Sequence, residues 1–234
     1  MLFDPVAFRI EEFVSTPRLT RYHDDGRTAE QAVRLYFWNH ELASAFLGPL
    51  AILEVTLRNA MHEALSSKYG SEWILDNDLL PLLDDDRANF DKTITRLRPI
   101  LKIKNKELTP DAVVGSSSLG DWVRLLEKGK PRSSTYNYEK TLWEAALINA
   151  FSNNSDGWGR AQIHGEFNRI RSFRNRIAHH EPIFYRDLTG MMDDIINAAS
   201  LIHHDAGEVI KHGHCLNTAL NSRQTALEQG ECCL

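Results

Sequence analysis

From Ser172 to Phe184 the chain reads Ser-Phe-Arg-Asn-Arg-Ile-Ala-His-His-Glu-Pro-Ile-Phe, which sets Arg174, Arg176, His179 and His180 beside an amide, Asn175, and a carboxylate, Glu181. RNA brings its own nucleophile, the 2′-hydroxyl next to each phosphate. Cutting it without a metal takes a group that moves protons and a cation that meets the charge developing on phosphorus. Histidine suits the first task because its unperturbed pKa of about 6.5 lets it act as acid or base near neutrality. Arginine suits the second because its fork grips phosphate oxygens and stays charged. Asn175 supplies an amide that can orient His179 or a phosphate. The products of such chemistry are a 2′,3′-cyclic phosphate and a 5′-hydroxyl.

The spacing sets a geometric condition. Five positions on a regular helix advance about 500°, so Arg174 and His179 point about 140° apart. They meet on one phosphate if the helix ends between them, as Pro182 suggests, or if a second chain contributes. His180, one position further on, fits the looser form of the same spacing. A bland reading also fits: an Arg–Asn pair near a helix end caps carbonyls, and a histidine near proline is structural.

Four residues between arginine and histidine, with asparagine following the arginine, is the Arg–Asn–x–x–x–His pattern of HEPN ribonucleases. The longer run RNRIAHHEPIF resembles the Abi-like family (abortive infection, AbiD/AbiF-type), which carries a HEPN domain. Phe37-Trp38-Asn39, Leu53 through His62, Tyr69-Gly70 and Trp73 resemble its N-terminal half; Gly120-Asp121-Trp122 through Leu126 and Leu142-Trp143 resemble its middle. The likeness runs from about Tyr36 to Tyr185. It implies an all-α, HEPN-type helical bundle with additional N-terminal and middle helices, forming a homodimer whose composite cleft brings two motifs together. It also implies a metal-independent endoribonuclease used in phage defence or as a toxin. In that reading Arg174 stabilises phosphate charge, His179 (ahead of His180) moves the proton, and Asn175 holds the geometry. Arg171 and Arg176 would lie on the RNA backbone. The implied partners are an RNA substrate, tRNA among the candidates, a second copy of the chain, and an antitoxin or regulatory RNA. The alternative is a non-catalytic HEPN module that binds RNA or protein as sensor or scaffold.

Two other constellations carry weaker signals. Glu54, Arg58 and His62 recur every four residues on one helix face. They read first as an ion-paired stripe, since Glu four positions before an arginine is the favourable order, and second as groups supporting the site. His179-His180-Glu181, His203-His204-Asp205 and His212/His214/Cys215 offer metal donors, but none has a spacing that aims two ligands at one ion. No metal and no cofactor are expected.

Positioning these residues falls to helices, because the periodicity is helical almost throughout. Thr28 opens a capping box leading to Phe46, Gly48-Pro49 reads as a break, and the stripe Leu50, Leu53, Leu57, Ala60, Ala64 continues to a cap at Gly70. A helix is expected from Asp84 to Arg98, closed by Pro99, with a basic loop at 102–106. Thr109 and Ser118 read as caps, 138–151 as helix, and 153–157 as loop. The motif helix spans about 160–178, and a last long helix runs from Thr189 to Ile210. Residues 1–210 read as a single domain, with 160–187 as its motif region and 211–234 as a polar, frayed tail.

Composition bounds the partners. Net charge is −5, so the chain as a whole does not attract nucleic acid. Between Arg160 and Asp187, however, six arginines and no lysine face three acids. Arginine without lysine favours bidentate phosphate contacts. The three cysteines, Cys215, Cys232 and Cys233, cluster near the C-terminus and build no disulfide framework, which suits a reducing compartment. No stretch approaches the roughly 20 apolar residues of a membrane span, MLFDPVAFRIEEF lacks the form of a secretory signal, and the ending Glu-Cys-Cys-Leu misplaces its cysteines for prenylation. A cytoplasmic protein without membrane contact is expected.

Overall fold

The computed structural model describes residues 2–233, and its regular elements are all helical. Among the described residues the extended chain makes only two isolated bridges, Phe3 with Cys232 and Gly129 with Asn137. In chain order the α-helices are α1 (Thr16–Leu19), α2 (Ala29–Tyr69), α3 (Asp84–Ile103), α4 (Pro110–Ser116), α5 (Leu119–Arg124), α6 (Arg160–Ala178), α7 (Leu188–Ile202), α8 (His204–Gly213) and α9 (Leu216–Asn221). The protein is all-α. Its chain divides into two compact units: Met1–Leu50, Ser172–Asp193 and Ile210–Leu234 form the first, Ala51–Arg171 and Asp194–Val209 the second.

The longest element is α2. Thr28 caps it through the expected box, its hydroxyl accepting from Gln31 N at 3.2 Å while Gln31 Oε1 accepts from Thr28 N at 3.1 Å. The expected break at Gly48-Pro49 is absent, and α2 runs through Pro49 without interruption. Proline inside a helix costs about 3 kcal/mol. Leu42, Phe46, Leu50, Leu53 and Leu57 flank it on one stripe at 5% exposure or less, and each buried leucine contributes about 1.5–3 kcal/mol. Packing outweighs the missing hydrogen bond. By length and composition α2 could also cross a membrane, its best window reaching a mean hydropathy of 1.2, so the expectation that no stretch comes near is corrected. Leu35, Trp38, Leu42 and Met61 on this helix are 3% exposed or less, whereas Leu47 and Val55 are exposed.

In the first unit the two chain ends hold each other. Asp4 accepts two bonds from Arg34, at 3.2 and 2.7 Å, and Arg34 Nη1 also reaches the carbonyl of Leu227. Trp38 Nε1 donates to the carbonyl of Ala219 at 2.8 Å, and Phe46 packs edge-on against Phe173. The tail expected to fray is therefore folded. Leu216, Ala219, Ala226 and Cys232 are buried within it; two of the four are alanines, whose small side chains leave little hydropathy signal.

In the second unit Trp73, Phe90 and Trp122 pack edge-to-face with ring centroids 5.8–6.1 Å apart. Beside them Asp86, 4% exposed, accepts from Arg124 Nε at 2.6 Å and from Tyr138 Oη at 2.7 Å. The Tyr138 hydroxyl in turn accepts from Leu83 N at 2.8 Å, and burial pushes its pKa up. Helix α3 passes Pro99 and takes in Lys102 before ending at Ile103, where Asn105 turns left-handed at φ +48°. Residues 138–151, expected as one helix, split into a π-helical turn at Glu139–Glu144 and a 3-10 turn at Leu147–Phe151. The expected last helix also divides, because His203 Nδ1 accepts from Asp205 N at 3.2 Å and starts α8. Gly207 lets α8 approach α7 closely, since a methyl group there would meet Ser200 Oγ and the carbonyl of Ile196.

Asp86→Ala would leave Tyr138 and Arg124 without their carboxylate. The expected loss is about 3 kcal/mol or more, as for a broken buried ion pair, read as a lower urea midpoint with an unchanged slope.

Candidate functional site

Helix α6 carries the motif, and its apolar residues explain its orientation. Ile163, Phe167, Ile170, Phe173 and Ile177 recur at spacings of three and four and are all buried. Arg174 falls on the same stripe, four residues after Ile170 and three before Ile177, and is half-buried. Asn175, His179 and His180 are exposed.

The end of α6 has a defined form. Glu181 N donates to the carbonyl of Arg176 at 2.8 Å and His180 N to that of Ile177 at 2.9 Å. These are the two bonds of a Schellman ending, which requires a left-handed residue between them. His180 occupies that place with φ +55°, a conformation uncommon for a residue with a Cβ. Helix α6 does end between Arg174 and His179, yet this does not bring the two together. His179 N still bonds to the carbonyl of Asn175 at 2.9 Å, so His179 stays on the helical screw. The chain turns one residue later, at His180.

Three side chains fix that turn. Arg18 of α1 donates through Nη1 to the carbonyls of His180 at 2.9 Å and His179 at 3.4 Å. Asn39 of α2, 1% exposed, accepts from Ile183 N at 2.7 Å and Phe184 N at 3.2 Å. Arg176 donates through Nη2 to the carbonyl of Pro182 and the hydroxyl of Tyr185, and through Nη1 pairs with Glu181 at 2.9 Å. The Arg176 guanidinium, expected on RNA, thus clamps the turn.

His40, also on α2, lies with its ring 6.0 Å from that of His180 and 4.6 Å from that of Tyr36. Burial holds its pKa below the ordinary histidine value, with the positive fields of His180 and Arg18 adding to the effect. Tyr22 lies 5.4 Å from both Tyr36 and Phe184, ring to ring. Arg18, Asn39 and His40 carry the geometry here, and the motif spacing did not name them. The one signal for two of them was the block Phe37-Trp38-Asn39 and the histidine that follows it.

The remaining candidates belong to the second unit. Arg58 donates to the carbonyl of Gly115 at 3.1 Å. His62 accepts from Trp73 Nε1 at 3.1 Å through Nδ1, and its Nε2 faces Ser66 Oγ at 3.4 Å. Both ring nitrogens are thereby assigned to a neutral imidazole. Burial lowers its pKa, as it does that of His164. Glu54 is half-buried. Arg171 donates twice to Asn168 Oδ1, at 3.1 and 2.6 Å. Among the described residues no group of three or more His, Cys, Asp or Glu side chains is placed to hold a metal ion.

Two outcomes follow from these contacts. Asn39→Ala should expose the amides of Ile183 and Phe184 to hydrogen exchange and cost about 1–3 kcal/mol, the penalty for unpaired buried donors. Acid should also destabilise the protein through the half-buried His40, His62 and His164. Their folded pKa values lie below the unfolded value of about 6.5, so the unfolded chain binds protons first and stability falls as pH drops through 6.5. Melting temperature should fall between pH 7.5 and 5.5, and His62→Gln should flatten that fall.

A family model described as Abi-like protein matches residues 6–185. No curated protein and no solved structure matches the chain.

Proposed function

The chain belongs to the Abi-like protein family, which points to a role in abortive infection and defence, and on that footing we propose that it is a metal-independent endoribonuclease of the HEPN type. The observation that carries this reading is the end of α6. There two exposed histidines lie on a turn fixed by Arg18, Asn39 and Arg176, five and six positions after a half-buried arginine.

Arg174 grips the phosphate and offsets its developing charge. The histidine pair moves the proton, His179 being the one at the motif spacing, and Asn175 holds substrate or imidazole in place. Cleavage proceeds by attack of the 2′-oxygen on the adjacent phosphorus and leaves a 2′,3′-cyclic phosphate. Because His179 remains on the helical screw, about 140° from Arg174, a second copy of the chain supplies the opposing motif of a composite cleft. Structured RNA such as tRNA is the proposed substrate.

The test is incubation of the wild type, Arg174→Ala and His179→Ala with total RNA and tRNA in EDTA, with the product ends mapped. Cyclic-phosphate ends are expected from the wild type. Loss of the arginine should slow cleavage about 10²–10³-fold and loss of whichever histidine of the pair moves the proton about 10²–10⁴-fold, with helicity unchanged. Salt-sensitive RNA binding without products would support the non-catalytic module instead.

A further inference from the structure

Transesterification of RNA needs two proton transfers, one from the attacking 2′-hydroxyl and one to the departing 5′-oxygen, and a single histidine accounts for one at a time. A second imidazole is present. His40 reaches the end of α6 from α2 and lies 6.0 Å from His180, centroid to centroid, with the rings inclined at 46°. At that distance the rings do not stack. Each ring nitrogen reaches an oxygen over about 2.6–3.2 Å, so at this separation both imidazoles can engage oxygens of one phosphate lying beside them. The left-handed backbone at His180 turns that residue off the screw that carries His179. Arg18 holds its carbonyl at 2.9 Å.

We infer that His40 is the second proton-transfer group of the cleavage site, acting on the same phosphate as His180. This rests on the ribonuclease reading and takes His180, rather than His179, as the member of the histidine pair that gives up the proton. The O2′–P bond forms as the P–O5′ bond breaks; the proton of the 2′-hydroxyl passes to His40, and a proton on His180 passes to the 5′-oxygen. No metal, oxidant or further reactant enters the balance. The roles follow from the surroundings. His40 is half-buried, with Arg18 from α1, His180 from the turn and Tyr36 on its own helix bearing on it, and this environment favours the neutral, proton-accepting form. His180 is exposed to solvent. Arg18 is a positioning residue that holds the backbone on which His180 turns.

The experiment follows the pH dependence of cleavage for the wild type, His40→Phe, His40→Gln and His180→Gln. Two forms of one RNA oligomer are used, with oxygen or sulfur at the scissile 5′ position. A thiol, with a pKa of about 8.5, leaves without needing a proton. The wild type should give a bell-shaped profile. His40→Phe keeps an aromatic ring against Tyr36, so it should fold, lose about 10²–10⁴-fold on both substrates, and lose the acid limb of the profile. His180→Gln should fail on the oxygen substrate and recover on the sulfur one. If either His40 variant retains both limbs and cleaves within about threefold of the wild type, His40 has no such role while the ribonuclease reading stands. If the wild type cuts neither substrate, that reading falls and takes the pair with it. In the wild type, titration with inorganic phosphate followed by imidazole NMR should move His40 and His180 together. Movement of neither overturns the pairing whatever the variants do.

Discussion

The exit of α6 is the constraint on which the rest of the site depends. A helix C-terminus exposes unpaired carbonyls and the negative pole of the macrodipole, so it is electrostatically the wrong end to offer a phosphate. The chain answers with cations and donors in layers. The Schellman bonds take up the carbonyls of Arg176 and Ile177, and Arg18 takes those of His179 and His180. Glu181, the carboxylate nearest the turn, is paired with Arg176.

The same contacts preorganise the site. A left-handed histidine is held only where its surroundings fix it, and here a buried asparagine, two arginines and a proline-bounded turn do so. For the proposed cleavage, positioned groups must be settled before substrate arrives. The arginines divide their work accordingly. Arg18 and Arg176 are committed to backbone and turn, and Arg174 lies half-buried on the apolar stripe of α6. A local arginine excess therefore overstates how many guanidiniums face a ligand.

The second unit shows a different use of polar residues. Asp86, Tyr138 and Arg124 form a network beside the Trp73–Phe90–Trp122 cluster, and His62 serves Trp73 as a hydrogen-bond acceptor. Glu54, Arg58 and His62 share a helix face that reads first as an ion-paired stripe and second as support for the site. For Arg58 and His62 the contacts are those of packing groups that satisfy a carbonyl and an indole.

By itself the sequence determined what depends on neighbours along the chain. The limits of α6, the capping box at Thr28, the caps at Gly70 and Thr109, and the spacing of Arg174 from His179 and His180 all arise from residues within a few positions of one another. The longer blocks determined the family for the same reason, being contiguous text. Tertiary structure decided what depends on burial and on distant partners. Pro49 and Pro99 sit inside helices rather than ending them, and at Pro49 burial of one face outweighs a lost bond. The tail packs because Trp38 and Arg34 receive it. Above all, Arg18 meets His180 across 162 residues and Asn39 meets Ile183 across 144. No local propensity encodes those meetings, because each is set by where whole helices come to rest.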